Sequence, residues 1–181
     1  MPFSDFLKAT VMTSAAAATL LAAITVAAAG SNDDPLLVPF AAGWWLIAAA
    51  VGTVLGRRAE TSPPIARLLA AARSTKALPE VRPSRMLLNR LWPLLLCTVL
   101  AAGLALVFPQ IAAIAAGFAV IWALSWRRQD AAVTAIEERD GVRYYVERTS
   151  PVKAIRLVRT PGFKATAWQF EEAGPVPPGR A

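Results

Sequence analysis

The hydrophobic and polar positions of this chain fall into blocks. Four uncharged apolar runs, 9–30, 36–56, 91–108 and 111–126, are separated by polar segments that hold every charged residue. A helix rises about 1.5 Å per residue, so about 20 such residues cross a hydrocarbon core of about 30 Å. The pattern predicts four transmembrane helices. The last two runs, of 18 and 16 residues, are short for a span and should tilt little. Only Pro109-Gln110 lies between them, which predicts an antiparallel helical hairpin with its tip at that dipeptide.

The first run also fits a secretory signal, with Ala27-Ala28-Ala29 as an A-x-A cleavage site. Its apolar length exceeds the usual h-region of about 7–15 residues, and a lone Lys8 beside Asp5 is a poor basic n-region. It is therefore read as a retained span. In the second run Ala48, Gly52 and Gly56 recur every four residues on one helix face, where small side chains let a neighbouring backbone approach. Trp44 and Trp45 lie too deep in that run for an interfacial belt and point either to packing between helices or to a distorted outer end of the span.

Charge then orients the spans. The connector 57–90 carries Arg57, Arg58, Arg67, Arg73, Lys76, Arg82, Arg85 and Arg90 against Glu60 and Glu80, whereas 31–35 and 109–110 contain no Lys or Arg. Basic loops stay on the cytoplasmic side. The expected fold is an all-α membrane protein: four transmembrane helices as two antiparallel hairpins, both termini cytoplasmic, with a small β-containing cytoplasmic C-terminal tail. Each hairpin closes with an arginine pair, Arg57-Arg58 and Arg127-Arg128. Abundant Ala and the excess of Arg over Lys fit a GC-rich bacterial genome, so the expected location is a bacterial cytoplasmic membrane.

Within the connector, Ser62-Pro63-Pro64 can start a helix running to about Ser74, since proline is tolerated in a first turn. Ile65, Leu68, Leu69 and Ala72 share one face and Arg67 points away, the pattern of a helix lying among lipid headgroups. Pro79 and Pro83 should stop regular structure before the third span. In the tail, the fourth helix is expected to continue to about Val133. Asp140-Gly141 between β-prone runs predicts a type I′ hairpin; the alternative is a helix that persists to Arg139 and stops at this dipeptide. Residues 154–159 read as a further strand, and Thr160-Pro161-Gly162 as a turn. The tail element, 127–173, is too short for a substantial core of its own. Residues 174–181, rich in Pro and Gly, are expected to be disordered.

Composition agrees with lipid as the main solvent. Of 181 residues, 56% are hydrophobic and 17% charged, against about 25% charged in a soluble domain. The net charge of +7 sits beside and beyond the apolar runs, as topology requires, so nucleic acid is not the expected partner. Cys97 is the sole cysteine and there is no histidine, which removes the usual metal ligands and the neutral-pH acid/base group.

The candidate chemistry is thin. The spans hold no charge of the kind coupled transporters keep. Their polar groups are hydroxyls, among them the cluster Thr10, Thr13 and Ser14, together with Cys97, read as a small buried group. Glu137, Glu138 and Asp140 are explained by a solvated turn beside Arg139 and Arg143. No catalytic residue, cofactor or metal site is expected. What remains is a basic surface formed by Arg57, Arg58, Arg67, Arg73, Lys76, Arg127 and Arg128, facing anionic lipid headgroups or a membrane-protein partner. The expected function is a non-enzymatic accessory or scaffolding subunit. The alternative is a small oligomeric transporter or channel for an uncharged solute.

Overall fold

The computed structural model describes residues 1–31, 35–57, 61–75, 83–147 and 155–161. It is mostly helical, with four helices long and apolar enough to cross a membrane. The elements in order are α1 (Phe3–Ser31), α2 (Leu37–Leu55), α3 (Pro63–Ala70), β1 (Arg73–Ser74), α4 (Pro83–Leu104), α5 (Pro109–Trp126), α6 (Gln129–Asp140), β2 (Val142–Val146) and β3 (Leu157–Pro161). Large apolar side chains stand exposed along the long helices, including Phe40 and Leu46 on α2 and Val99 and Leu100 on α4. So much unburied apolar surface suits a hydrocarbon solvent and would be a liability in water.

Helix α5 is the hub of the bundle and packs against α1, α2 and α4. Leu21 of α1, Ala101 of α4 and Ala112 and Ala116 of α5 share a core, with Ala105 just beyond α4. Alanines dominate because the helix backbones approach closely there, and dispersion between close-packed atoms replaces a hydrophobic drive that lipid does not supply.

The other core lies at one end of the bundle and draws on every polar segment with described residues near that end. Phe3, Phe6 and Leu7 come from α1, Ile65 and Leu69 from α3, and Met86 from α4. They meet Val133 of α6, Tyr144 and Val146 of β2, and Leu157 of β3. At 29 residues, α1 is about 43 Å long, some 13 Å more than a hydrocarbon core needs. Its first turns are therefore free to enter this small domain. The tail's shortage of core is met by residues borrowed from the N-terminus and the connector.

A three-stranded sheet in the order β1-β3-β2 closes the domain. β1 runs parallel to β3, and β2 runs antiparallel to it. Alternation puts Tyr144 and Val146 inward and Arg143 outward. The far edge of β2 is covered by the first residues of the chain: Pro2 bridges to Tyr145, and the Val146 N–H donates to the Met1 carbonyl at 3.2 Å. An edge so covered does not recruit a stray strand.

Several sequence expectations change. The connector helix ends at Ala70, short of Ser74, and Arg73-Ser74 pairs as a strand. Its apolar face meets protein: Ile65 and Leu69 are buried, with Leu68 and Ala72 packed beside them. The face expected against headgroups is thus occupied by the small domain, whose other pieces lie far away in sequence. Pro83 starts α4, so the third helix begins before residue 91, and it ends at Leu104. The connection to α5 is 105–108, and Pro109-Gln110 opens α5. Phe108 is extended (φ −131°, ψ 86°), as a residue before proline prefers, and Pro109 takes the N1 place where its missing N–H costs nothing.

The type I′ hairpin at Asp140-Gly141 does not form. After a break at Arg127-Arg128, α6 continues to Asp140, and Gly141 caps it in the left-handed region (φ 63°, ψ 27°) with its N–H on the Glu137 carbonyl. Glycine accepts positive φ in either setting, so the dipeptide alone does not distinguish a helix stop from a hairpin. β2 pairs with β3 instead, and β3 includes Thr160 and Pro161 where a turn was expected. The disorder expected at 174–181 falls outside the described residues.

Candidate functional site

The surface to consider is the basic end of the bundle, where the small domain sits on the ends of the long helices. Arg57 and Arg128 are brought together: the Arg128 Nη1 donates to the Arg57 carbonyl at 2.9 Å. The ends of α2 and α5 therefore meet at Arg57 and Arg128. Arg127 is exposed beside them, as are Arg67 on α3 and Arg73 on β1. Arg58 and Lys76 lie outside the described residues.

Polar contacts between segments fix how the connector and tail present these charges. Gln129, buried at the start of α6, accepts the Ser62 N–H through Oε1 at 3.0 Å and so holds the N-terminus of α3. Glu137 Oε1 accepts the Tyr144 N–H at 2.9 Å, tying α6 to β2. Burial pushes the Glu137 carboxyl above its ordinary pKa, while that N–H and the Arg143 charge oppose the shift. On β3, the Arg159 Nε donates to Ser74 Oγ at 2.8 Å. Arg139 pairs with Asp140 at 2.8 Å, but it is exposed and contributes little to the fold.

The expected small-residue stripe lies along α5. Ala48 is fully buried. A Cβ on Gly52 would come 2.9 Å from the Leu124 Cβ and 3.0 Å from the Ile121 Cα. A Cβ on Gly56 would run into the Leu124 carbonyl oxygen. Trp45 and Trp44 complete this seam, donating their indole N–H groups to the carbonyls of Ala113 (2.9 Å) and Ile114 (3.2 Å). A helix carbonyl has a second lone pair free for such a bond. Gly117 gives room for the Trp44 ring, since a Cβ there would overlap it. Contact positions rise together along both helices, so α2 and α5 run parallel. Sequence reasoning missed Gly117; the paired tryptophans inside an apolar run were its only signal.

The hydroxyl cluster bonds back onto its own helix. Thr10, Thr13 and Ser14 donate to the carbonyls of Phe6, Ala9 and Thr10 on their own helix, at 2.9, 2.7 and 2.9 Å. Thr98 likewise donates to Leu94 at 2.8 Å. Cys97 is exposed and not buried, because α4 leans on the bundle over little of its surface. Among the described residues there is no group of three or more His, Cys, Asp or Glu side chains placed to hold a metal ion. No family model, curated protein or solved structure matches this chain.

Proposed function

We propose that this protein is a non-enzymatic accessory or scaffolding subunit of a bacterial cytoplasmic membrane, anchored by its helices and acting through the small domain. In this reading the N-terminus, connector and C-terminus are cytoplasmic and the four spans form two antiparallel hairpins. The observation that carries it is the shared core: Phe3, Ile65 and Val146 come from three segments separated by apolar runs, yet they pack together. A core shared by these segments supports their lying on one side of a bilayer, and their positive charge favours the inside.

Because the apolar face of α3 is already covered, what α3 and β1 offer outward is charge, from Arg67 and Arg73. This favours an electrostatic contact with an acidic partner or anionic headgroups over insertion of the helix. The transport alternative draws no support from Thr10, Thr13 and Ser14, whose hydroxyls donate to carbonyls of their own helix. The test is purification in mild detergent at low salt. A stoichiometric acidic protein should be retained, and should be lost at about 1 M salt, where screening acts within about 3 Å, or in the double variant Arg67→Glu/Arg73→Glu. A lone homo-oligomer that passes an uncharged solute after reconstitution would refute the reading.

A further inference from the structure

A groove of about 530 Å³ opens between α1, α4 and α5. Its size falls within the range of about 300–1,000 Å³ typical of small-molecule sites. Leu91, Leu94 and Phe118 make its walls apolar, and Arg90 lies at one end together with Thr10 and Trp122. That end adjoins the small domain, since Phe6 and Leu7 of α1, Met86 of α4 and Trp126 of α5 all touch its core. Along α4 the lining runs from Arg90 to Thr98, and along α1 from Thr10 to Leu21. At about 1.5 Å per residue these are about 12 and 16 Å. The groove therefore follows about half of a hydrocarbon core of about 30 Å, the depth of one leaflet. Cys97, Phe118 and Trp122 on its walls are exposed, so it opens sideways, where acyl chains are the solvent.

We propose that this groove holds one anionic phospholipid from the leaflet on the small domain's side, its phosphate at Arg90 and an acyl chain along the apolar wall. Charge and depth together select this occupant. A cation at the headgroup level beside a trough one leaflet long matches a molecule with its anion at one end and an apolar chain below. Basic pockets between transmembrane helices bind anionic headgroups on the same grounds. Thr10, the hydroxyl nearest this end, donates to its own backbone, and Arg90 is the charged residue of the lining. The site depends on the membrane placement of the helices and not on any partner of the small domain, so its test can fail while the scaffolding reading stands, and the reverse.

The test is native mass spectrometry of the full chain in mild detergent with equimolar phosphatidylglycerol and phosphatidylcholine. Wild type should carry one phosphatidylglycerol with about fivefold preference, the scale expected for one cation beside a net negative headgroup, which phosphatidylcholine lacks because its choline offsets its phosphate. Arg90→Gln should bring the preference close to one, and Arg90→Lys should keep most of it. Cys97→Trp, a change at an exposed wall position that leaves the core alone, should fill the groove and remove the bound lipid of either kind. Equal binding of the two lipids by wild type, undiminished preference in Arg90→Gln, or a retained lipid in Cys97→Trp would overturn the proposal. If Arg90→Gln does not fold, the wild-type preference and the Cys97→Trp result decide alone.

Discussion

Ile65→Asp is expected to undo the small domain, lowering its stability by about 4 kcal/mol or more. Ile65 is 1% exposed in a core with Phe3, Val133 and Val146, and an unpaired carboxylate there has no partner to offset its lost hydration. A whole domain is typically stable by only about 5–15 kcal/mol. Limited proteolysis of membranes should then cut both the connector and the tail, although only the connector was altered. Arg67→Asp, two residues on and exposed, should stay within about 0.5 kcal/mol of wild type. If α3 lay on headgroups alone, Ile65→Asp would free the connector and leave the tail protected.

The second large effect is expected inside the bundle. Gly56→Leu should separate the end of α2 from α5, because its Cβ would meet the Leu124 carbonyl oxygen, a backbone atom that cannot swing away. Overpacking of this kind costs about 1–3 kcal/mol when side chains can yield, and a backbone clash belongs at or above the top of that range. The thermal midpoint of detergent-solubilised protein should fall clearly. Gly43→Leu is the control on the same helix, with open space around the added carbon, and should leave the midpoint almost unchanged. Equal losses in the two variants would mean that added bulk anywhere on α2, not the α2–α5 seam, sets the effect, since leucine is a better helix former than glycine.

How much of this was legible in the chain depends on the range of the interaction. The membrane-length helices follow from runs without charge, a local property that later packing does not alter. The stripe Ala48, Gly52 and Gly56 was also visible, since a four-residue period places it on one face whatever lies opposite. Its partner was not visible, because nothing local in 111–126 says which of the other helices Leu124 and Gly117 will meet.

The small domain was the larger omission. Each of its pieces carries only one to three core residues, as in Phe3, Phe6 and Leu7, Ile65 and Leu69, Tyr144 and Val146, or Val133 alone. Read one at a time they look like a helix start, a headgroup helix and a hairpin. The connector helix was correctly amphipathic, but periodicity reports that a face is apolar and not what covers it. Asp140-Gly141 left hairpin and helix stop both open, with the helix stop the one that forms, and Pro109 misled for a related reason: glycine suits a helix cap as well as a hairpin, and proline opens a helix as readily as it fills a turn. In both cases the chain beyond the dipeptide decided the outcome.

The central claim is that connector and tail belong to one domain on one side of the membrane, and a crosslink tests it most directly. Ser74 and Arg159 are Cα partners across β1 and β3. Adjacent strands lie about 4.8 Å apart, within the Cα separation of about 4.4–6.8 Å that a disulfide accepts. In a Cys97→Ser background, mild oxidation of membranes carrying Ser74→Cys and Arg159→Cys should remove both free thiols within a single chain. Thiols that remain free, or that link only separate chains, would contradict the account, since a bilayer between the two segments would keep them apart.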